Sequence, residues 1–222
     1  MKNVQIKTKE LFKAIPEEFL PLFEGREYPW EILPHIHGFL VLALHRGIQG
    51  YGYDEERGIL VGPNVKIAPS AVIEGPAILG EGTEIRPFAY LRGDVIVSPR
   101  CVVGNSTELK NCVLLEGVHV PHFNYVGDSI LGSHSHLGAG AICSNFRQDG
   151  GEIMIRGSMN FRTGLKKVGC FLGEGVEIGC NSVLNPGTIV GEGSRVYPLS
   201  CLRGIYPKKV IVKGDRDITD IE

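Results

Sequence analysis

Every sixth residue from Val61 to Leu115 is aliphatic: Val61, Ile67, Ile73, Leu79, Ile85, Leu91, Val97, Val103, Leu109 and Leu115. A second column, two residues earlier, is small or β-branched: Val65, Ala71, Ala77, Thr83, Ala89, Val95, Cys101, Thr107 and Val113. A helix repeats its faces every 3.6 residues and a plain strand every two, so neither produces a strict period of six over this distance. A chain that turns a corner every six residues does. In a parallel β-helix each short strand hydrogen-bonds to the strand one coil above, and side chains of fixed phase fill the interior. Three hexads make one triangular coil, so residues three hexads apart stack at roughly 4.8 Å, the usual strand separation.

The repeats begin at Gly58 and divide the chain. Residues 1–57 read as an N-terminal helical segment and linker, with 1–50 helical and 51–58 connecting. Thr8 suits a helix cap, Pro16 a first helical position and Gly25 a stop. The stretch from Trp30 to Arg46 reads as a helix ending at Gly47. It is apolar around much of its circumference, so it needs the first coils or a neighbouring subunit to pack on. Residues 58–205 form the coil and 206–222 a mostly polar C-terminal tail with one apolar patch. After Leu115 the register slips, and Val126, Leu131 and Leu137 continue the column at irregular spacing. Residues 144–166, SNFRQDGGEIMIRGSMNFRTGLK, break it and read as a loop or hairpin projecting from the coil. The period returns at Leu172, Ile178, Leu184, Val190, Val196 and Leu202. Departures from so regular a rule mark places where function overrides it; they cluster between Pro121 and Lys167.

The net charge of −2 supplies no field to draw the chain to nucleic acid or anionic lipid. The opening MKNVQIKTKE lacks the apolar run of a signal peptide. The most apolar region, Trp30 to Leu44, contains Glu31, Pro34, His35 and His37, and is too short and polar to span a bilayer. These features predict a cytoplasmic protein with neither nucleic-acid nor membrane partners. None of the six cysteines, Cys101, Cys112, Cys143, Cys170, Cys180 and Cys201, forms a C-x-x-C pair, so packed thiols and no metal site are expected.

The segment around the slip holds four of the seven histidines: His119, His122, His134 and His136. Within it, PHFNYVGD followed by LGAGAICSN resembles the acetyltransferase domain of the bifunctional enzyme that makes UDP-N-acetylglucosamine. It is more similar still to that domain in archaeal sugar-1-phosphate nucleotidylyltransferases, which acetylate glucosamine- or galactosamine-1-phosphate. The resemblance covers roughly residues 60–205, is strongest from Gly104 to Asn145, and recovers at GLKKVGCFLG. It implies an all-β, left-handed parallel β-helix, acetyl-CoA as acyl donor, and a homotrimer with acyl-CoA sites between adjacent subunits. It also implies residue roles. His122 would be the catalytic base, with Asn145 also catalytic. Arg92 and Lys110 would bind the sugar phosphate, and Tyr125 and His136 the acceptor. Ala139, Cys180, Lys166, Lys167 and Arg203 would lie against the coenzyme.

The residues themselves support part of this. Arg92 and Lys110 are three hexads apart, so they stack on one corner of successive coils. Two stacked cations repel unless an anion lies between them; a sugar phosphate satisfies both, and the Arg fork suits bidentate contact. An imidazole, with an ordinary pKa of about 6.5, suits a general base working near neutral pH. Amide formation needs a neutral amine, so a base must take its proton as it attacks the thioester. Backbone N–H groups of the Gly138–Ala139–Gly140 turn are candidate donors to the resulting oxyanion.

The chain also departs from the family pattern. His136 stands where Asn is common and Phe146 where the bifunctional enzyme has Tyr. Gly150, Gly151, Glu152 and Met154 occupy the region of the family lysines, whose charge Lys166 and Lys167 are placed to supply. These changes leave the acceptor sugar and the acyl group open. Nucleotidylyltransferase activity is not expected, because residues 1–57 contain no glycine-rich G-x-G-T-R-type loop to hold nucleotide phosphates. Two other readings stay open. One is a non-catalytic hexapeptide protein binding a nucleotide sugar, an acyl-CoA or a protein partner. The other is a zinc enzyme like the γ-class carbonic anhydrases, whose histidine spacing the chain does not match.

Overall fold

A computed structural model describes residues 4–214 and 217–221. From Ile59 the chain winds as a parallel β-helix with three flat faces, the architecture that the period of six requires. The first face begins with strands Ile59–Val61, Ala77–Leu79 and Val95–Val97. The second begins with Lys66–Ile67, Glu84–Ile85 and Val102–Asn105, and the third with Val72–Glu74, Tyr90–Arg92 and Glu108–Lys110. Each strand pairs in parallel with its counterpart one coil on: Ile59 with Ala77, Lys66 with Glu84, Val72 with Tyr90. The interior is filled by the two sequence columns, large Leu79, Ile85, Leu91 and Val97 against small Ala77, Ala89, Val95 and Cys101. The first corner joins the first face to the second, the second corner joins the second to the third, and the third corner leads to the next coil.

The register slips earlier than the columns suggest. Val95 pairs with Cys112 and Val113 with Ile130, so these coils are one residue short of three hexads. The missing residue lies at the third corner. Arg92, Gly93 and Asp94 lead into Val95, but only Lys110 and Asn111 lead into Cys112. Asn111 makes the tighter turn at φ +44°, a left-handed conformation that Asn tolerates. Leu114, not Leu115, therefore faces the interior, and Cys112, not Val113, fills the small position.

A third column explains the N-terminal segment. The outward residues of the first face, Leu60, Ile78, Ile96, Val113, Ile130, Phe171 and Ile189, are apolar and at most 2% exposed. Such a strip needs a cover, and burying each large side chain is worth about 1.5–3 kcal/mol. Leu11, Phe19, Trp30, Ile32, Ile36 and Leu40 supply it. The segment is less regular than a run of helices. Thr8 begins a single turn, Thr8–Leu11, rather than capping it; the Glu10 carboxylate instead accepts from the Ile6 and Lys7 N–H groups. The stretch from Trp30 divides into short 3-10 turns, Pro29–Glu31 and Leu33–His35, before the helix Ile36–Arg46, because Pro34 has no N–H to donate to a continuous helix. Gly47, at φ +73°, ends it. The stretch read as a linker carries the strand Gly52–Asp54, antiparallel to Ile59–Val61.

The excursion after Cys143 folds back on the molecule. Its strands Met154–Ile155 and Phe161–Arg162 form an antiparallel hairpin. Ile153, Ile155 and Phe161 join the layer outside the first face, where Phe161 tilts against Trp30. Past residue 205 the coil continues. Val210–Val212 pairs in parallel with Arg195–Val196, and Ile218–Asp220 adds an antiparallel edge. Val210 and Val212, the apolar patch of the tail, are fully buried. Residues 1–3 of the N-terminal segment and 215, 216 and 222 of the tail lie outside the described residues. Among the described residues no helix is long and apolar enough to cross a membrane.

Candidate active site

The third face presents an outward column at its third-corner edge. Glu74 pairs with Arg92, and Lys110 with Gly127. Leu91 pairs with Leu109, so Arg92 and Lys110 stack on successive coils as their spacing demands. The slip begins at the next residue, Asn111, and leaves this stack intact. Arg92, Lys110, Tyr125, Asn145, Phe146 and Lys167 line one cleft of about 300 Å³. Three coils contribute, together with both ends of the excursion, which an antiparallel bridge between Phe146 and Lys167 draws together.

Each stacked cation already has a carboxylate on one side. Arg92 Nη1 lies 2.6 Å from Glu108 Oε1, and Lys110 Nζ 3.7 Å from Asp128 Oδ2. Their repulsion is thus partly relieved within the chain, and a ligand anion is a fit rather than a necessity. Asp128 is only 4% exposed and sits at φ +46°. It accepts from Asn111 Nδ2 at 2.8 Å and from Asn145 Nδ2, so it holds Asn145 and Lys110 toward one point. Asn145 Nδ2 also donates to the Tyr125 hydroxyl at 3.1 Å. Burial raises the Tyr125 phenol above its ordinary range, against the opposing effect of that hydrogen bond. It stays protonated at neutral pH, and among the described residues its O–H hydrogen donates to no partner.

His122, Ala139 and Cys180 meet elsewhere. They are consecutive rungs of the second corner: the Gly140 N–H donates to the His122 carbonyl at 3.0 Å, and the Asn181 N–H to the Ala139 carbonyl at 2.8 Å. Buried Asn124 clamps the rungs, accepting from the His122 N–H and donating from Nδ2 to the Gly138 carbonyl at 2.8 Å. Of the turn's N–H groups, those of Gly138 and Gly140 are spent on the Ile178 and His122 carbonyls. The Ala139 N–H donates to no backbone carbonyl of the described residues, which narrows the oxyanion candidates to that one group. The imidazole of His122 is exposed and does not line the Arg92–Lys110 cleft.

His136 is on the second face, paired with His119 and Glu177, with its Nδ1 3.0 Å from Glu177 Oε2. It lines a separate depression with His119, His134 and Arg100. Among the described residues no group of three or more His, Cys, Asp and Glu is arranged to hold a metal ion. Lys166 is exposed outside the clefts, and Arg203 lines a neighbouring one described below. Sequence reasoning quoted Asp128 and Asn124 within PHFNYVGD but gave them no role. Their signal was type and place, Asn and Asp at corners where the backbone turns left-handed and side chains reach neighbouring rungs.

A family model, the GMPPB C-terminal domain, matches residues 73–196. The chain belongs to this family. The GMPPB C-terminal domain match takes in more than half of the chain, including the Arg92–Lys110 stack and the second-corner rungs. The bifunctional sugar-1-phosphate nucleotidylyltransferase/acetyltransferase of Sulfurisphaera tokodaii is 35% identical over 148 residues, 61% of this chain and 37% of that protein. The bifunctional protein GlmU of Methanocaldococcus jannaschii is 29% identical over 207 residues, 84% of this chain and 47% of that protein. The chain spans less than half the length of these relatives. The resemblance read from PHFNYVGD and LGAGAICSN thus holds at the level of family. Among solved structures, a point variant of AntD, an N-acyltransferase from Bacillus cereus, aligns with TM-score 0.44 and 19% identity over 79% of this chain and 91% of that one.

Proposed function

We propose that the chain transfers an acyl group, acetyl from acetyl-CoA in the simplest case, to the amine of an amino-sugar 1-phosphate. The acceptor would be glucosamine- or galactosamine-1-phosphate, in cytoplasmic nucleotide-sugar biosynthesis. The observation that carries this reading is the third-corner cleft, where Arg92, Lys110 and Lys167 converge with Tyr125 and Asn145. Three cations suit a dianionic phosphate ester, and the phenol and amide beside them suit sugar hydroxyls.

In this reading His122 removes a proton from the acceptor amine as its nitrogen attacks the thioester carbonyl. The Ala139 N–H donates to the oxygen that becomes negative. When the intermediate collapses, the new C–N bond remains, the C–S bond breaks, and the coenzyme thiol leaves with a proton. His122 and the phosphate cleft are on different corners of one chain, so a neighbouring copy brings them together in a homotrimer. The second corner supports this. Phe88, Phe123 and Leu199 are 64%, 61% and 79% exposed there and hold positive φ, with Ser106, Gly140 and Asn181 between them. The matching first-corner positions include Asn64, Arg100, His134 and Lys209, all polar. Bulky apolar residues rarely adopt this conformation. Placing them where the first corner has polar ones marks the second corner as a surface to be covered.

The test is release of coenzyme thiol from acetyl-CoA by the purified chain with each amino-sugar 1-phosphate. His122→Ala is expected to lower kcat by about 10²–10⁴, and Lys110→Gln to raise KM for the sugar phosphate. Turnover unchanged by His122→Ala, or none with either acceptor, defeats the reading. A monodisperse monomer by light scattering defeats the shared site.

A further inference from the structure

The geometry points to a second anion site, a cleft of about 420 Å³ between the excursion and the third corner that takes a phosphate ester or diphosphate group. Its floor continues the outward column of the third face. Cys143 pairs with Leu184, and Leu184 with Leu202, which places Ser144, Asn185 and Arg203 one above another. Its wall is the excursion, from Arg147 to Asp149 and at Ile153, Met154 and Arg156. A chain of net charge −2 thus gathers three arginines here against one carboxylate, Asp149.

The arginines are not equivalent. Arg147 is already engaged, with its Nε donating to Asp149 Oδ1 at 2.9 Å and its Nη1 to the Glu152 carbonyl at 2.9 Å. Among the described residues no ion pair or hydrogen bond engages the guanidinium of Arg156 or of Arg203; the Arg203 N–H donates to the Tyr206 hydroxyl at 3.3 Å. Backbone packing holds these two together. Gly204 sits at φ +91°, and a Cβ there would stand 2.6 Å from the Arg156 carbonyl oxygen. The missing side chain lets the hairpin seat directly on the coil, which fixes Arg156 beside Arg203. Two free guanidiniums on a rigid frame, with Asn185 and Ser144 below, match the oxygens of a phosphate or diphosphate. Ile153, Met154 and Pro186 line the cleft beside the two exposed arginines. Phe146 lines both this cleft and the Arg92–Lys110 cleft and separates them.

The group bound could belong to a coenzyme or to a nucleotide-linked acceptor, and titration of the full chain at fixed ionic strength distinguishes them. Inorganic pyrophosphate is expected to bind, with Arg156→Gln and Arg203→Gln each weakening it about tenfold, the scale of one charge-assisted contact. Arg195→Gln, on the second face, should leave it unchanged. Glucosamine-1-phosphate should lose affinity with Lys110→Gln and keep it with Arg156→Gln. Coenzyme A and UDP are then titrated in turn, and the one weakened by Arg156→Gln identifies the source. The inference is overturned if pyrophosphate binds both variants as well as it binds the parent chain, if Arg195→Gln weakens it equally, or if neither coenzyme A nor UDP depends on Arg156. Because binding is read without turnover, this result and the acyl-transfer assay fail independently.

Discussion

The Tyr125 hydroxyl occupies space that a side chain on Gly127 would fill: a Cβ there would stand 2.5 Å from Tyr125 Oη and 2.6 Å from Asn145 Nδ2. Gly127 does not hold a left-handed φ, so room rather than backbone freedom explains it. Gly127→Ala should separate Tyr125 from Asn145. It should cost about 1–3 kcal/mol in urea unfolding, as overpacking does, and raise KM for a sugar-phosphate acceptor. A variant with the parent stability and KM would show that the close approach does not matter.

Asp128→Asn keeps a residue that tolerates the left-handed corner but replaces one acceptor oxygen with a donor and removes the charge facing Lys110. The expected variant folds, loses about 1–3 kcal/mol because a buried hydrogen bond is broken, and binds phosphate acceptors with altered affinity. Denaturant unfolding and acceptor titration together check this, and full stability in the variant would mean that Asp128 is not the hub its contacts describe.

The thiols predict alkaline sensitivity. Burial pushes Cys101 up to about 12 and raises Cys112 as well. In the unfolded chain a thiol ionises near about 8.5. Between these values the unfolded state gives up protons that the folded state keeps, so stability falls as pH rises. The urea midpoint should begin to drop near about pH 8.5 and keep falling toward about pH 12, and Cys101→Ala should flatten that slope. A thiol reagent should label Cys180 and Cys201 in the native protein, and the buried Cys101, Cys112, Cys143 and Cys170 only after denaturation.

The helix Ile36–Arg46 offers a paired test of the cover over the first face. Leu40 is fully buried against it, whereas Leu42 is 45% exposed. Leu40→Ala should cost about 2–5 kcal/mol, and Leu42→Ala should stay within about 0.5 kcal/mol. Equal effects in chemical denaturation would contradict the packing.

Parts of the site were legible because a coil converts separation along the chain into height. Arg92 and Lys110 could be stacked from numbering alone, and His122, Tyr125 and Asn145 stood out in a string of family type. The outward strip Leu60, Ile78, Ile96 was equally periodic, but its apolar residues sit between two inward columns of the same character and do not separate from them by type. The slip was misplaced because Leu114 and Leu115 are chemically identical, and only the pairing of Val95 with Cys112 decides which faces inward.

The sequence by itself determined the period, and with it the coil, its three faces and the residues that fill it, because a strict repeat of six admits one way to bury every aliphatic side chain. Tertiary structure decided what the corners do. It put His122 on one corner and the Arg92–Lys110 cleft on another, turned the excursion back to wall a second cleft, and set Asp128 between Lys110 and Asn145. Those relations depend on where one residue was omitted and how a hairpin packs. They arise from contacts between coils and layers, which no local pattern of residues records.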